Sequence, residues 1–318
     1  MEKVKLGNTD LKVSVMGLGC LYFGTRDNKK KSFRRLDQFS AVGGNFLDTA
    51  NMYAHWINEN TTGGESERIL GKWINERNNR SDMIIATKVG FSYGDAEYGT
   101  SKEQIKTECE KSLKRLNSEY IDLYYAHTDD FNTPMEEALE AFNELIQEGK
   151  VRQIGASNFK AWRLERARQI CQSNDWVNYC CIQQRYSYLR PKTGWDFGQQ
   201  VAANEDLFDY IEDTGISLIA YSPLLHGAYT NLDKEFRDHY KGPDTEARLR
   251  SLDKVAEETG ATRNQLVYYW LMHSNPPTIP LVASSTDEQF EEAMGTLELE
   301  LTDEQIKRLT EAKHIPFK

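Results

Sequence analysis

The sequence lacks several features that would place it in a broad class of protein at once. Its 39 lysines and arginines are outnumbered by 49 aspartates and glutamates, and the formal net charge of −10 argues against a general nucleic-acid binder. Its five cysteines form no CxxC pair and no metal-ligand spacing, which is typical of a reducing cytoplasm. No apolar run approaches the length of a membrane span, and the charged N-terminal residues do not resemble a signal peptide. We therefore expect a cytoplasmic protein with no membrane or nucleic-acid partner.

Two glycine-containing segments fall short of nucleotide-binding motifs. GLGCLYFG, which begins at Gly17, has its third glycine out of place, and no helix begins at once after it. LGKW has Ser66 where a phosphate loop needs a glycine, five positions before Gly71. We therefore interpret the first segment as a strand whose glycines allow a close approach, and the second as part of an amphipathic helix.

What the sequence does have is a regular alternation of strand-like and helix-like segments. A short hairpin around Gly7-Asn8 comes first, and eight strand-like runs follow: VSVMGLG, NFLDTA, MIIATKV, IDLYYAHT, VRQIGAS, CCIQQRYS, ISLIAYS and TIPLVAS. Eight units of about 31 residues predict a (β/α)₈ TIM barrel of the α/β class, in a single domain over residues 1–318. The extra length predicts enlarged loops after the second, third and seventh strands, and two extra helices, EARLRSLDKVAEETG and LTDEQIKRLTEAK.

Four chemically active residues lie at or just after the ends of three successive predicted strands. Asp48 and Tyr53 occur in NFLDTANMY, Lys88 in MIIATKVG, and His127 in IDLYYAHT. In a barrel of this kind, catalytic residues come from the C-terminal ends of several strands. The positions therefore predict that an acid, a phenol, an amine and an imidazole meet in one site.

This combination suits the delivery of a proton to a carbonyl oxygen. A phenol has an ordinary pKa of about 10, and we expect a charged Lys88 beside Tyr53 to lower that pKa. Asp48 is expected to keep Lys88 charged, and His127 to orient the carbonyl. Because no side chain supplies hydride, the quartet predicts a nicotinamide cofactor. An alternative is that Lys88 forms a Schiff base, which requires a neutral amine and is opposed by a paired Asp48.

The ordered motifs resemble those of the aldo-keto reductase superfamily. LDTANMY, IATKVG, the strand ending in His127, GASNF and AYSPL occur in the order of that superfamily and cover essentially the whole chain. The resemblance implies a (β/α)₈ barrel that binds NADP(H) in an extended pose across its C-terminal mouth. It also implies that Tyr53 is the general acid/base, assisted by Lys88, Asp48 and His127.

The resemblance further implies which residues hold the cofactor. They are Ser157, Asn158 and Gln183 for the nicotinamide carboxamide, Tyr221 for stacking on the ring, Ser222 and Leu224 for the pyrophosphate path, and Ser285, Gln289 and Glu292 for the adenosine phosphate. The last loop carries Asp287, Glu288 and Gln289 where many relatives place a lysine and an arginine. Carboxylates without a base disfavour a phosphate and make NAD(H) the alternative, while the family resemblance keeps NADP(H) as the first expectation.

Aromatic residues in the enlarged loops predict the substrate pocket. His55 and Trp56 follow Tyr53, and Phe91 and Tyr93 follow Lys88. Their polar-edged rings suit a sugar-like or an aryl carbonyl compound, or shield the nicotinamide from water. Arg185 or Arg190, after the sixth strand, is a candidate for an anionic substrate group.

Two functions from different classes follow. The first is an NAD(P)(H)-dependent oxidoreductase that interconverts an aldehyde or ketone with its alcohol, without a metal, as a monomer or a homo-oligomer. The second is a cofactor-binding sensor or channel-associated subunit with little turnover, because VASSTDEQFEEA resembles the corresponding loop of potassium-channel β subunits.

Overall fold

Eight parallel strands close into a barrel in the computed structural model, which describes residues 1–231 and 233–313. In spatial order they are β10 (Thr278–Val282), β3 (Gly17–Gly19), β4 (Phe46–Asp48), β5 (Ile84–Val89), β6 (Ile121–Ala126), β7 (Val151–Ser157), β8 (Cys181–Arg185) and β9 (Ser217–Tyr221). The predicted barrel is confirmed. Residue 232, in the predicted loop after the seventh strand, and residues 314–318, at the end of the predicted domain, lie outside the described residues.

The predicted N-terminal antiparallel hairpin is present, and it packs on the N-terminal end of the barrel. It consists of β1 (Lys3–Lys5) and β2 (Lys12–Ser14). Its turn touches the starts of β8 and β9, because the Gly7 N–H donates to Ser217 Oγ at 2.7 Å. Gly7 has a φ of +54°, and a Cβ there would lie only 2.1 Å from the carbonyl oxygen of Cys180. A glycine is therefore required for this close approach.

Ten α-helices occur within the described part of the chain. They are α1 (Lys29–Ala41), α2 (Glu65–Arg77), α3 (Lys102–Leu116), α4 (Met135–Gln147), α5 (Ala161–Asn174), α6 (Glu205–Thr214), α7 (Thr245–Thr259), α8 (Arg263–Met272), α9 (Asp287–Gly295) and α10 (Asp303–Thr310). Two of them, α7 and α10, are the predicted extra helices. Asn28 and Ser101 cap α1 and α3 with their side chains, and Thr286 forms a capping box with Gln289 in α9. None of these helices is both long and apolar enough to cross a membrane.

The barrel strands are buried on both faces, as expected for parallel strands covered by helices. Successive side chains alternate between the helices and the barrel interior. On β5, Thr87 donates to Glu67 of α2, whereas Lys88 reaches Asp48 on the neighbouring strand β4. The strand thus places Lys88 inside the barrel, near its C-terminal mouth.

Four long loops surround this mouth. Three of them, over residues 49–64, 90–101 and 222–244, correspond to the predicted enlargements. The fourth, over residues 186–204 after β8, is longer than the sequence pattern indicated. Its Val201 N–H donates to Asn158 Oδ1 at 3.2 Å, so this loop also contributes to the mouth.

Candidate active site

The Lys88 ammonium is the centre of the candidate site. It donates to Asp48 Oδ1 at 2.5 Å, to the Thr49 carbonyl oxygen at 2.7 Å and to the Tyr53 hydroxyl at 3.0 Å. The Lys88 and Asp48 side chains are fully buried, at 0% and 1% exposure. Lys88 thus holds both Asp48 and Tyr53, so three of the four predicted residues are in contact.

The surroundings of this ion pair keep Lys88 charged. Burial is the largest influence on the pKa of Lys88 and would lower it, but Asp48 and Tyr53 outweigh burial and the pKa lies above its ordinary value. Burial also raises the pKa of Asp48, against the opposing effects of Lys88 and of Gln183, whose Nε2 donates to Asp48 Oδ2 at 2.8 Å. A charged Lys88 is not a nucleophile, which disfavours the Schiff-base alternative.

Tyr53 lies beyond β4, in the loop over residues 49–64, and its hydroxyl points back to Lys88. The residue is partly exposed, but the hydroxyl end lies among buried groups. Burial is the largest influence on its pKa and raises it, while Lys88 lowers it by a smaller amount. The net direction is therefore opposite to the sequence expectation, although the Lys88 contribution has the predicted sign.

His127 stands against Tyr53 at the end of β6. The two ring centroids lie 5.9 Å apart in an edge arrangement, and Phe91 packs on the other side of the imidazole at 4.6 Å. Burial and the Lys88 charge lower the pKa of His127 well below its ordinary value. Its Nδ1 is buried without a hydrogen-bond partner among the described residues. Burial and the Lys88 charge therefore favour the neutral imidazole.

The residues predicted to hold the nicotinamide lie beside this group. Asn158 Nδ2 donates to the His127 carbonyl oxygen at 3.0 Å and to Ser157 Oγ at 3.1 Å, and Tyr221 donates to Asn158 Oδ1 at 2.7 Å. Gln183 is joined to Asp48, as described above. Ser157, Asn158 and Tyr221 are joined by side-chain hydrogen bonds, and the Asn158 backbone N–H donates to the Gln183 carbonyl oxygen at 3.2 Å. The four residues therefore form one floor that is linked through Gln183 to Asp48.

The other predicted cofactor residues follow β9 and β10. Ser222 has a φ of +55°, and Leu224 accepts from the Gly227 N–H at 2.8 Å in the tight turn that follows. Gln289 Oε1 accepts from the Ser285 N–H at 2.8 Å, and Glu292 Oε2 accepts from Asn264 at 3.1 Å. The Gln289 side chain therefore already satisfies backbone donors at the start of α9.

Basic residues of α1 contact the loop that precedes α9. Lys31 Nζ donates to the Ser285 carbonyl oxygen at 2.6 Å, Arg34 lies 2.7 Å from Asp287, and the buried Arg35 lies 3.1 Å from Asp287. The expectation of a loop with carboxylates and no nearby cation is therefore incomplete. Because β10 pairs with β3, barrel closure brings α1 beside α9, and the basic run KKKSFRR was the signal that could have indicated this.

The predicted pocket residues divide into two groups. His55 and Trp56 form an edge-to-face pair at 5.1 Å, with Trp56 44% exposed, and Phe91 lies against His127. Tyr93 is buried instead, and its hydroxyl donates to Glu108 of α3. Tyr98, which the sequence interpretation missed, packs 6.2 Å from Phe91 and lies in the same enlarged loop.

Arg185, the last residue of β8, and Arg190, in the loop that follows, do not reach a common site. Arg185 hydrogen-bonds to Gln200 and packs over Phe197 and Tyr221, with its Nε buried and unpartnered among the described residues. Arg190 pairs with the exposed Glu205 at 2.7 Å. Of the two, Arg185 is the one that lies beside a predicted cofactor residue.

Comparison with known proteins agrees with this architecture. The model of the aldo/keto reductase family matches residues 15–314. Similar proteins include the norsolorinic acid reductase stcV of Emericella nidulans, 30% identical over 96% of this chain and 79% of the relative, and the oxidoreductase YrpG of Bacillus subtilis, 30% identical over 98% and 95%. The versiconal hemiacetal acetate reductase of Aspergillus parasiticus is 28% identical over 98% and 96%. The chain therefore belongs to the aldo/keto reductase family and is an oxidoreductase of carbonyl compounds.

Proposed function

We propose that the protein is an NAD(P)(H)-dependent reductase in which Tyr53 is the general acid/base for interconversion of an aldehyde or ketone with its alcohol. One observation carries the proposal. The Lys88 ammonium lies 3.0 Å from the Tyr53 hydroxyl and 2.5 Å from Asp48, inside the mouth of a barrel. A phenol held by a buried, charged amine is suited to give a proton and to be stabilised after it has done so.

Each member of the quartet has a distinct part in the proton transfer. In reduction, the Tyr53 proton passes to the carbonyl oxygen, and Lys88 stabilises the phenolate that remains. Asp48 holds Lys88 charged, and neutral His127 directs the carbonyl oxygen toward Tyr53. The raised pKa of Tyr53 keeps its hydroxyl protonated at neutral pH before the reaction. In oxidation, the phenolate accepts the proton of the alcohol.

The floor beside the quartet fits a nicotinamide. The Ser157 hydroxyl accepts from Asn158 and keeps its own proton for an amide oxygen, while Gln183 uses Nε2 on Asp48 and presents Oε1 for an amide N–H. Tyr221, fixed by Asn158, presents an aromatic face. When bound there, a nicotinamide supplies the hydride that the carbonyl carbon accepts. Ser222, Leu224, Ser285, Gln289 and Glu292 complete the proposed cofactor contacts.

NADP(H) is the proposed first choice of cofactor, with NAD(H) as the alternative. The α1 residues Lys31 and Arg34 bring positive charge to Ser285 and Asp287, where the resemblance implies the adenosine phosphate. Arginine and lysine are the usual partners of a phosphate. This positive charge favours binding of the 2′-phosphate of NADP(H), although the loop itself carries carboxylates.

The substrate is proposed to be a sugar-like or aryl carbonyl compound. Phe91 provides aromatic surface beside His127, and Tyr98 extends it. The loop that carries Tyr53 adds the His55–Trp56 pair. Tyr93 is left out because its hydroxyl is bound to Glu108. Relatives named as reductases of norsolorinic acid and of versiconal hemiacetal acetate support a reductase of small organic molecules. Location in the cytoplasm and homo-oligomer formation stay predictions.

Oxidation of NADPH and NADH with a panel of aryl, aliphatic and sugar aldehydes and ketones tests the proposal. We expect Tyr53→Phe to lower kcat by about 10²- to 10⁴-fold, because the general acid is lost, while cofactor affinity is retained. Tyr120→Phe is the matched control, since Tyr120 stacks on Arg80 and Arg152 just before the start of β6, at the opposite end of the barrel. No turnover by the unmodified protein, or a fully active Tyr53→Phe variant, would contradict the proposal.

A further inference from the structure

Glu108 is a buried carboxylate outside the barrel interior, on α3. Its side chain is 2% exposed. One oxygen, Oε2, accepts from Asn51 Nδ2 at 2.8 Å and from the Tyr93 hydroxyl, and the other accepts from Lys111 at 2.8 Å. Burial alone would raise the pKa of Glu108, but these donors outweigh it and the pKa lies below its ordinary value. Glu108 is therefore an ionised acceptor that joins three elements.

Its first partner, Asn51, is connected to both Tyr53 and Lys88. Asn51 precedes Tyr53 by two residues, and its backbone N–H donates to the Lys88 carbonyl oxygen at 3.3 Å. The side-chain oxygen of Asn51 is buried with no hydrogen-bond partner among the described residues. Glu108 thus holds the Asn51 amide by its nitrogen, and a shift of Asn51 changes the separation of Tyr53 from Lys88.

Its second partner, Tyr93, joins the loop after β5 to the loop after β4. The Tyr93 ring packs against Gly63, where a Cβ would lie 2.2 Å from the ring. The loop that carries Phe91 and the loop that carries Tyr53 therefore touch each other, and both are tied to the same carboxylate oxygen.

We propose that Glu108 is a positioning residue for the proton transfer. It keeps the Tyr53 loop at the distance that lets Lys88 donate to the phenol, and it holds the Phe91 loop against His127. The proposal rests on the proposed function, because it assigns Glu108 a part in the action of Tyr53. Glu108 acts through Asn51 and Tyr93 and touches neither Lys88 nor Tyr53 in the structure.

Steady-state kinetics of Glu108→Ala and Glu108→Gln, with Glu110→Gln as control, test the proposal. Glu110 lies on the same helix, and its exposed side chain pairs with Lys150. We expect Glu108→Ala to lower kcat about 10- to 100-fold, since a small misplacement of a reacting group has an effect of this size. Glu108→Gln keeps one acceptor oxygen and is expected to recover part of the rate. Cofactor Kd should change less than twofold, because none of the proposed cofactor contacts lies on α3 or in the loops after β4 and β5.

The pH profile separates positioning from a loss of stability. Burial raises the pKa of Tyr53 and Lys88 lowers it, so displacement of the phenol from this position changes that pKa. Reduction needs a protonated Tyr53 and declines as pH rises through its pKa, so the alkaline limb of kcat should shift in both Glu108 variants. Glu110→Gln should reproduce the profile of the unmodified protein.

An unshifted alkaline limb in Glu108→Gln, or equal losses in kcat and cofactor affinity, would overturn the proposal. If Glu108→Ala does not fold, the pH profile of Glu108→Gln still tests the proposal. Tyr93→Phe is a second variant, which removes one of the two loop contacts and should fold. Inactivity of the unmodified protein with every carbonyl compound would instead remove the proposed function, and the part assigned to Glu108 with it.

Discussion

The residues of the candidate site combine charge and burial in an unusual way. Lys88 and Asp48 are ionised in the barrel interior, where an unpaired charge is strongly disfavoured. They are stable there because the ammonium has three oxygen acceptors and Asp48 has a second donor in Gln183. We therefore explain the ion pair by its effect on the Tyr53 hydroxyl and not by a contribution to stability.

His127 should make stability depend on pH. Its pKa lies well below the ordinary value of about 6.5 that applies in the unfolded chain. Between those two values the unfolded state binds more protons, so the stability contributed by neutral His127 is present above pH 6.5 and is lost as pH falls below it. The expected slope approaches about 1.4 kcal/mol per pH unit.

Denaturant unfolding at several pH values, compared with His127→Asn, measures this contribution. The variant should be less stable at neutral pH because it loses the packing against Tyr53 and Phe91, but its stability should fall less steeply on acidification. Identical slopes for the two proteins would contradict a neutral, buried imidazole.

At the scale of single elements, strands and helices could be predicted more fully than the loops. Alternation of apolar runs indicated all eight barrel strands. The run VSVMGLG, however, is divided between β2 and β3, because Ser14 pairs with β1 in the hairpin whereas Gly17 pairs with β10. The loop over residues 186–204 has no apolar period, and its contact with Asn158 arises from tertiary structure alone. Likewise, the sequence of α3 gave no sign that Glu108 faces Asn51.

The hairpin should stabilise the fold without affecting chemistry. Leu6, at its turn, is fully buried in a core cluster with Phe46 and Ile219, at the end of the barrel opposite the mouth. We expect Leu6→Ala to lower the free energy of unfolding by about 2–5 kcal/mol, because it leaves a cavity in a packed core.

Chemical denaturation together with kcat for the folded variant checks this expectation. Lys12→Ala, an exposed hairpin substitution, is the control and should change stability by less than about 0.5 kcal/mol. If kcat fell strongly under conditions in which Leu6→Ala is fully folded, the hairpin would affect catalysis at the barrel mouth, contrary to this expectation.

At the scale of the whole molecule, closure of the barrel decides which distant segments meet. The pairing of β10 with β3 places α1 against the loop before α9, across more than 250 residues of sequence. The local composition of that loop suggested carboxylates alone, whereas the closed fold adds Lys31, Arg34 and Arg35. The charge around that loop could not be predicted from the loop itself, because part of it comes from the other end of the chain.

Cofactor binding should reflect this contact. We expect Arg34→Ala to raise the Kd of NADPH by about 2- to 5-fold and to leave that of NADH nearly unchanged, the size appropriate to an exposed charge. Fluorescence titration at low and high salt measures both values, with Arg250→Ala on α7 as control. Equal effects on the two cofactors would place the 2′-phosphate elsewhere.

The phenol of the proposed donor is carried by a loop, whereas its cation stands on a strand. These two supports differ in rigidity, since connecting segments open more readily than the centre of a barrel. Substitution of His55 or Trp56 in this loop can therefore change substrate selectivity while the Lys88–Asp48 ion pair is retained. Any change that lets the same loop drift, however, separates the acid from the charge that activates it, and so couples selectivity to turnover.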